Sequence, residues 1–273
     1  MNSQNKTNQT NHTNHTDKAR AEYDAIDALN YTGMKELLKS PLHYQQWLKN
    51  RQNKEDTKAL RIGKMTHEAI LQPDLFQRYK SLPDCDRRTK EGKELWLHFI
   101  ESLKPNEIAV AQDEYELSLS MSDAVHQALE QKGIQFSETE QIKTAEFSGV
   151  NFKCLVDAIG TDGVIYDIKT TDDASLQGFK RTALSYKYYL QAFLYKSISG
   201  LSDFVFVVVE KEPPHAVAFY RLGQEFMNKG SEELLHAVTL YSKSMQSGKW
   251  DGYSTDIVDL DLPSKSSMVI PFA

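Results

Sequence analysis

Cys154-Leu-Val-Asp157-Ala-Ile-Gly-Thr-Asp-Gly-Val-Ile-Tyr-Asp167-Ile-Lys169-Thr-Thr is the stretch on which the reading of this chain turns. Thr161-Asp162-Gly163 is a turn signal between two apolar runs, so a hairpin is expected, with Asp157 and Asp167 on neighbouring strands near the end away from the turn. Side chains alternate along a strand, and Asp167 and Lys169 therefore share a face. Two carboxylates and one ammonium are thus gathered on a largely apolar sheet. A lone Asp-x-Lys is usually a solvated ion pair. The flanking Val164-Ile165-Tyr166 and Ile168 indicate burial on both faces, where unpaired charge is costly. Carboxylates so placed suit Mg²⁺ or Mn²⁺, hard cations that complete their shells with water and phosphate oxygens.

Outward from this segment the period of the sequence changes. On its N-terminal side the spacing predicts helices: one from Tyr31 carrying Met34, Leu37 and Leu38, another restarted at Ser40-Pro41 with Tyr44, Trp47 and Leu48, a third over about Thr57 to Leu71 ended by Pro73, then Glu91 to Leu103, and Glu114 to Gln131 stopped by Gly133. Strands are expected at about Glu138 to Glu146, Val150 to Ile159 and Val164 to Lys169, an antiparallel meander with a second turn at Ser148-Gly149. Beyond it the pattern predicts one helix from Leu176 to Ser199, strands at Phe204 to Val209 and Ala216 to Arg221, and a closing helix from Glu225 to about Gln246. The expected class is α/β, a mixed sheet flanked by helices in one domain over 23–273. Residues 1–22, rich in Asn, Thr, Gln and His, are expected to be a disordered polar tail.

The composition removes several alternatives. With 273 residues and 40% hydrophobic content the chain can bury a substantial core. Its longest apolar run, Phe204 to Val209, is far short of the roughly 20 residues of a membrane-spanning helix, and the polar N-terminus has no signal-like apolar stretch. No membrane partner and a cytoplasmic location are expected. Two cysteines, Cys85 and Cys154, are too few for a four-cysteine zinc or iron–sulfur site and are expected as free thiols. No Gly-x-x-x-x-Gly-Lys-Ser/Thr is present, which argues against an ATP-driven motor. The net charge of −6 is weak evidence against a nucleic-acid partner, because affinity for phosphate depends on where the cations stand.

Asp157, a gap, then Asp167-Ile-Lys169-Thr-Thr resembles the PD-(D/E)XK nuclease signature, with Val156 in the place of its proline. Further residues resemble the RecE type, the exodeoxyribonuclease VIII of phages and prophages: Tyr31-Thr-Gly33 with Ser40-Pro41, Gly63-Lys-Met-Thr-His67, Asp86-Arg87-Arg88-Thr89-Lys90-Glu91-Gly92-Lys93, and Gln191-Ala-Phe-Leu-Tyr195. The resemblance spans about Tyr31 to Pro263. It implies a restriction-endonuclease-like core with an N-terminal helical extension, and Mg²⁺-dependent, 5′ to 3′ degradation of linear duplex DNA that leaves a 3′ single strand. A single-strand annealing recombinase and a ring-like homo-oligomer are the implied partners; an endonuclease on the same fold is the alternative.

The resemblance also implies roles. His67 would be a metal ligand through a ring nitrogen, although a helical histidine flanked by Leu60, Gly63 and Leu71 on a buried stripe is often only a core residue. Asp157, Asp167 and Ile168 would complete the metal contacts, with an acidic residue on the preceding strand. Glu138 and Glu140 share its parity, and the sequence leaves the choice open. Gln191 and Tyr195, one helical turn apart, share a face and would orient Lys169 or hold phosphate. Arg87, Arg88, Thr89 and Lys93, together with Lys180 and Arg181, would contact DNA, the guanidiniums gripping a terminal phosphate. For Lys169 orientation and electrostatic stabilisation rank above general base, because the adjacent carboxylates oppose the fall in pKa a base needs.

Overall fold

The structure, a computed structural model, describes residues 20–51 and 57–259. Of the expected polar tail, residues 1–19 lie outside the described residues, and a helical turn already runs over 20–25. Asn30 then caps α1 (Tyr31–Lys39) by accepting from the N–H of Gly33, and Ser40 both ends α1 and caps α2 (Pro41–Asn50), whose first residue is the proline. Thr57 caps α3 (Lys58–Leu71). Pro73 both stops that helix and starts α4 (Pro73–Phe76), a single turn. Two three-residue strands that the sequence pattern is too short to reveal, β1 (Tyr79–Ser81) and β2 (Ile108–Val110), pair in parallel around α5 (Lys90–Ser102). The helix α6 (Gln112–Lys132) closes on Gly133 in the left-handed conformation.

The main sheet follows: β3 (Phe136–Phe147), β4 (Val150–Gly160), β5 (Ile165–Thr171), β6 (Phe204–Glu210) and β7 (Val217–Tyr220), in that spatial order. Only β5 and β6 run parallel, so the sheet is mixed as expected. Ser148 and Gly149 both take positive φ, 52° and 73°, the two-residue turn whose twist matches that of the hairpin it closes. Strand β6 lies inside the sheet, between β5 and β7: Phe204, Phe206 and Val208 enter one core, and Val205, Val207 and Val209 the other. The first core is completed by α1, α2, and by α7 (Leu176–Ser185), α8 (Tyr188–Ser199) and α9 (Gln224–Ser247). The second is covered by α3 and α6 through Ile62, Ile70, Met121, Val125 and Leu129. Each fully buried Val, Ile or Leu contributes about 1.5–3 kcal/mol over an exposed one, so these two faces fix which way the sheet lies.

Three local features differ from the sequence pattern. The single helix expected over Leu176 to Ser199 is two helices, broken at Lys187 with φ 58°. No glycine or proline marks the break. Tertiary contacts hold it: Lys187 Nζ reaches both carboxylate oxygens of Glu233 on α9 at 2.9 and 3.0 Å, and the Tyr31 hydroxyl donates to the carbonyl of Tyr186. Leu60 is exposed, whereas Leu71 is buried as expected, and the buried face of α3 is carried with it by Ile62, Met65, Thr66, Ala69 and Ile70. Finally, β4 pairs with β5 at only Ala158↔Tyr166 and Ile159↔Ile165 before the strands separate. Leu29 fills the vacated edge of β4, donating to the Asn151 carbonyl at 2.8 Å and accepting from the Lys153 N–H at 2.9 Å. No described helix is long and apolar enough to cross a membrane.

Candidate active site

The opening between β4 and β5 places the charged residues. Asp157 lies where the two strands part, and its Oδ2 accepts the N–H of Ile168 at 2.9 Å. The Ile168 side chain is buried in the core, so its described part in the site is to hold Asp157. Alternation also slips here. Phe152, Cys154 and Val156 face the first core, Ala158 the second, and Ile159 the first again. On β3 the partner position, Glu140, has φ 53°, and the recorded pairs flank it at Thr139↔Ala158 and Gln141↔Val156.

That irregularity separates the two glutamates that parity left equivalent. Glu140 turns inward and stands 3.4 Å from His67 Nδ1, whereas Glu138 is exposed and outside the cluster. His67 projects from α3, its side chain 27% exposed, and its Nε2 lies 3.0 Å from Asp157 Oδ2. Ligand atoms of His67, Glu140 and Asp157 lie within 4.8 Å of one another. Burial works against a charged imidazole, yet Asp157 and then Glu140 outweigh it and raise His67 to about 9. Burial pushes Glu140 up to about 7, with His67 opposing and Asp157 reinforcing. Asp157 is lowered: its own burial is overcome by His67, Lys169 and the Ile168 N–H.

Asp167, only 1% exposed, stands beside this trio. Its Oδ2 pairs with Lys169 Nζ, and its Oδ1 accepts from Gln191 Nε2 at 2.6 Å. Gln191 therefore orients the carboxylate, and Lys169 only through it. Burial raises the Asp167 pKa against the pull of Lys169. For Lys169 burial favours the neutral amine, but Asp167 and Tyr188 more than compensate, and the ammonium is held above its ordinary value. An imidazole and two carboxylates in such proximity fit a hard divalent cation. His67, Glu140 and Asp157 would hold it, with Asp167 alongside.

Tyr195 joins His67, Glu140 and Asp157 in lining a cavity of about 550 Å³. Its ring packs edge-on to Phe204, and burial, then Tyr23 and Asp167, keep its phenol protonated well above the usual tyrosine value. The cavity is also lined by Arg20, Tyr23 and Asn30, which the sequence did not single out, by Thr32 of the quoted Tyr31-to-Gly33 motif, and by Lys64 from α3. Lys64 falls inside the quoted Gly63-to-His67 motif, three residues before the histidine, which was the available signal. Lys153 fastens the N-terminal wall: it is 2% exposed and its Nζ donates to the carbonyls of Tyr23 and Ile26 at 2.6 and 2.8 Å.

The expected DNA-contacting residues are not part of this cavity. Arg87, Arg88, Thr89 and Lys93 sit exposed around the start of α5. Thr89 is the N-cap, its hydroxyl donating to the Asp86 carbonyl and accepting from the Gly92 N–H, so that group is already engaged. A Cβ at Gly92 would meet the Asp86 carbonyl oxygen at 2.0 Å, which explains the glycine in the motif. The Arg87 guanidinium lies 4.0 Å over the ring of Trp96. Lys180 and Arg181 are exposed on α7; Lys180 borders a separate apolar cavity with Phe179 and Tyr220, and Arg181 pairs with Asp173 at 3.2 Å.

Residues 30–260 match the family described as a PDDEXK-like domain of unknown function (DUF3799). Among solved structures the chain is similar to a candidate exonuclease from Eubacterium rectale, with a TM-score of 0.56 at 10% identity, covering 90% of this chain and 94% of that one. A phage-related exonuclease from Haemophilus somnus 129PT aligns with a TM-score of 0.37 at 14% identity over 50% of this chain and 73% of that one. No curated protein matches the sequence.

Proposed function

The chain belongs to the PDDEXK-like family, and from that premise we propose that it is a metal-dependent exodeoxyribonuclease acting 5′ to 3′ on linear duplex DNA. The observation that carries this reading is the cluster of His67, Glu140 and Asp157 lining one cavity, with the buried Asp167–Lys169 pair electrostatically coupled to it. A bound Mg²⁺ or Mn²⁺ would polarise the scissile phosphate and acidify a water. The remaining work falls to the chain. Lys169, an ammonium rather than an amine, stabilises charge building on the phosphate oxygens. Gln191 and the Ile168 N–H hold Asp167 and Asp157 in place. Arg20 and Lys64 meet backbone phosphates at the cavity walls.

The need for a DNA end is supported by the sequence resemblance to RecE-type enzymes. Residues 23–273 act as one catalytic domain, in the cytoplasm, where the free thiols Cys85 and Cys154 stay reduced. Leu95, Leu97 and Ile100 are exposed along α5, apolar surface that a ring of copies would cover. The 3′ strand left behind would pass to a single-strand annealing recombinase. Arg87 and Arg88 serve initiation from outside the cavity.

Digestion of end-labelled linear duplex in Mg²⁺, beside a covalently closed circle, tests the reading. Early release of 5′-labelled mononucleotide with a persistent 3′ label is expected. Cutting of the closed circle at a comparable rate would replace the exonuclease by an endonuclease, and early loss of the 3′ label would reverse the polarity.

A further inference from the structure

The first turn of α8 grips both members of the Asp167–Lys169 pair. Gln191 holds the carboxylate. Tyr188, three residues earlier and so on the same side of the helix, presents its ring to the ammonium: Lys169 Nζ lies 4.9 Å from the Tyr188 centroid and 5.9 Å from that of Phe206. The ring is itself fixed. It stacks on Phe206 at 5.5 Å and 27°, on Tyr186 at 5.7 Å and 18°, and leans on Phe179 at 6.0 Å. The left-handed residue Lys187 makes this possible, because it ends one helix and starts the next with Tyr188 directed back at β5 and β6. An uninterrupted helix would carry position 188 past the sheet in another direction.

We propose that Tyr188 is a positioning residue for Lys169. A lysine has a long flexible stem and a point charge, and one carboxylate partner constrains it from one side only. The negative face of a fixed aromatic ring attracts the same cation from a second side. Between Asp167 and the rings of Tyr188 and Phe206 the ammonium is confined to one location, where it can meet a phosphate without first being ordered. This assignment rests on the nuclease reading above, and it locates its determinant in the ring face rather than in the phenol hydroxyl.

The test compares Tyr188→Leu and Tyr188→Phe with the unaltered protein on linear duplex in Mg²⁺. Tyr188→Leu is expected to lower kcat about tenfold with KM changed little, and Tyr188→Phe to restore most of the loss. A second readout needs neither metal nor DNA: in EDTA-treated protein labelled at lysine, the Lys169 ε-methylene resonance should be shifted upfield by the ring current, lose that shift in Tyr188→Leu, and keep it in Tyr188→Phe. Pentafluorophenylalanine at position 188 keeps the shape and removes the negative face, so its kcat should fall as in Tyr188→Leu although its ring current remains, and it replaces that variant in the kinetic comparison if the leucine protein does not fold. Equal damage from phenylalanine and leucine would assign the effect to the hydroxyl and overturn the proposal, as would a rise in KM alone or an unshifted resonance. Inactivity of the unaltered protein would instead remove the nuclease reading, leaving the resonance test to decide on Tyr188.

Discussion

His67 Nε2 and Asp157 Oδ2 stand 3.0 Å apart, joining a helix from the first part of the chain to a strand of the central sheet, and the Glu140 carboxylate faces the other ring nitrogen. Removing the imidazole therefore leaves two carboxylates without the group that brings them together. His67→Ala should weaken Mn²⁺ binding by at least about tenfold, the lower end of what even outer-shell metal-site changes produce. Calorimetric titration reads this directly. An unchanged isotherm would return His67 to a packing role.

Metal binding should tighten as pH rises. His67 is raised to about 9 and Glu140 to about 7, so at pH 6.5 both carry protons that a cation must displace. At pH 8.5 Glu140 has lost its proton and a larger share of His67 is neutral. Titrations in two buffers of different ionisation enthalpy should show proton release on binding that falls between those two pH values. A pH-independent affinity would mean that these groups do not ligate.

Lys169→Ala should abolish cleavage and leave Asp167 buried without its cation. Breaking a buried pair in this way costs about 3–5 kcal/mol. Burial has already raised the Asp167 pKa, so the carboxyl can escape the penalty by taking a proton. The sign follows: the variant should be nearest to normal stability at low pH and lose stability as pH rises through the raised value. Urea denaturation at several pH values checks it, and a penalty that grows toward acid would contradict the assignment.

Arg20 and Lys64 line the cavity without belonging to the metal cluster. Replacing either by alanine should raise KM for duplex DNA, leave metal affinity alone, and reduce the slope of log affinity against log salt by about one per cation removed. A variant with the original slope would show that its side chain does not meet phosphate.

Lys153→Met keeps the length of the side chain but strips the buried carbonyl of Tyr23 and the part-buried carbonyl of Ile26 of their donor. The expected cost is about 1–3 kcal/mol for each acceptor left unpaired. Hydrogen exchange should quicken in residues 20–30, and kcat/KM should fall while metal binding is retained. Unaltered exchange there would detach Lys153 from the wall.

The sequence by itself determined most of the elements and which charged residues gather on the sheet. Alternation around a Thr-Asp-Gly turn was enough to put Asp157 and Asp167 on neighbouring strands and Lys169 beside Asp167, because strand periodicity is a local property. The doubly apolar run of β6 announced a strand covered on both faces for the same reason. Tertiary structure alone put Glu140, and not Glu138, beside His67: the slip in alternation at Glu140 and Asp157 accompanies β5 leaving β4, an event between strands that no single-strand pattern records. It also broke the helix at Lys187, where Glu233 from α9 and the Tyr31 hydroxyl hold a conformation that the local sequence disfavours. It brought Arg20, from beside the polar N-terminal stretch, to the cavity. Each of these depends on partners far away in the chain, and distance in sequence is what composition and periodicity do not carry.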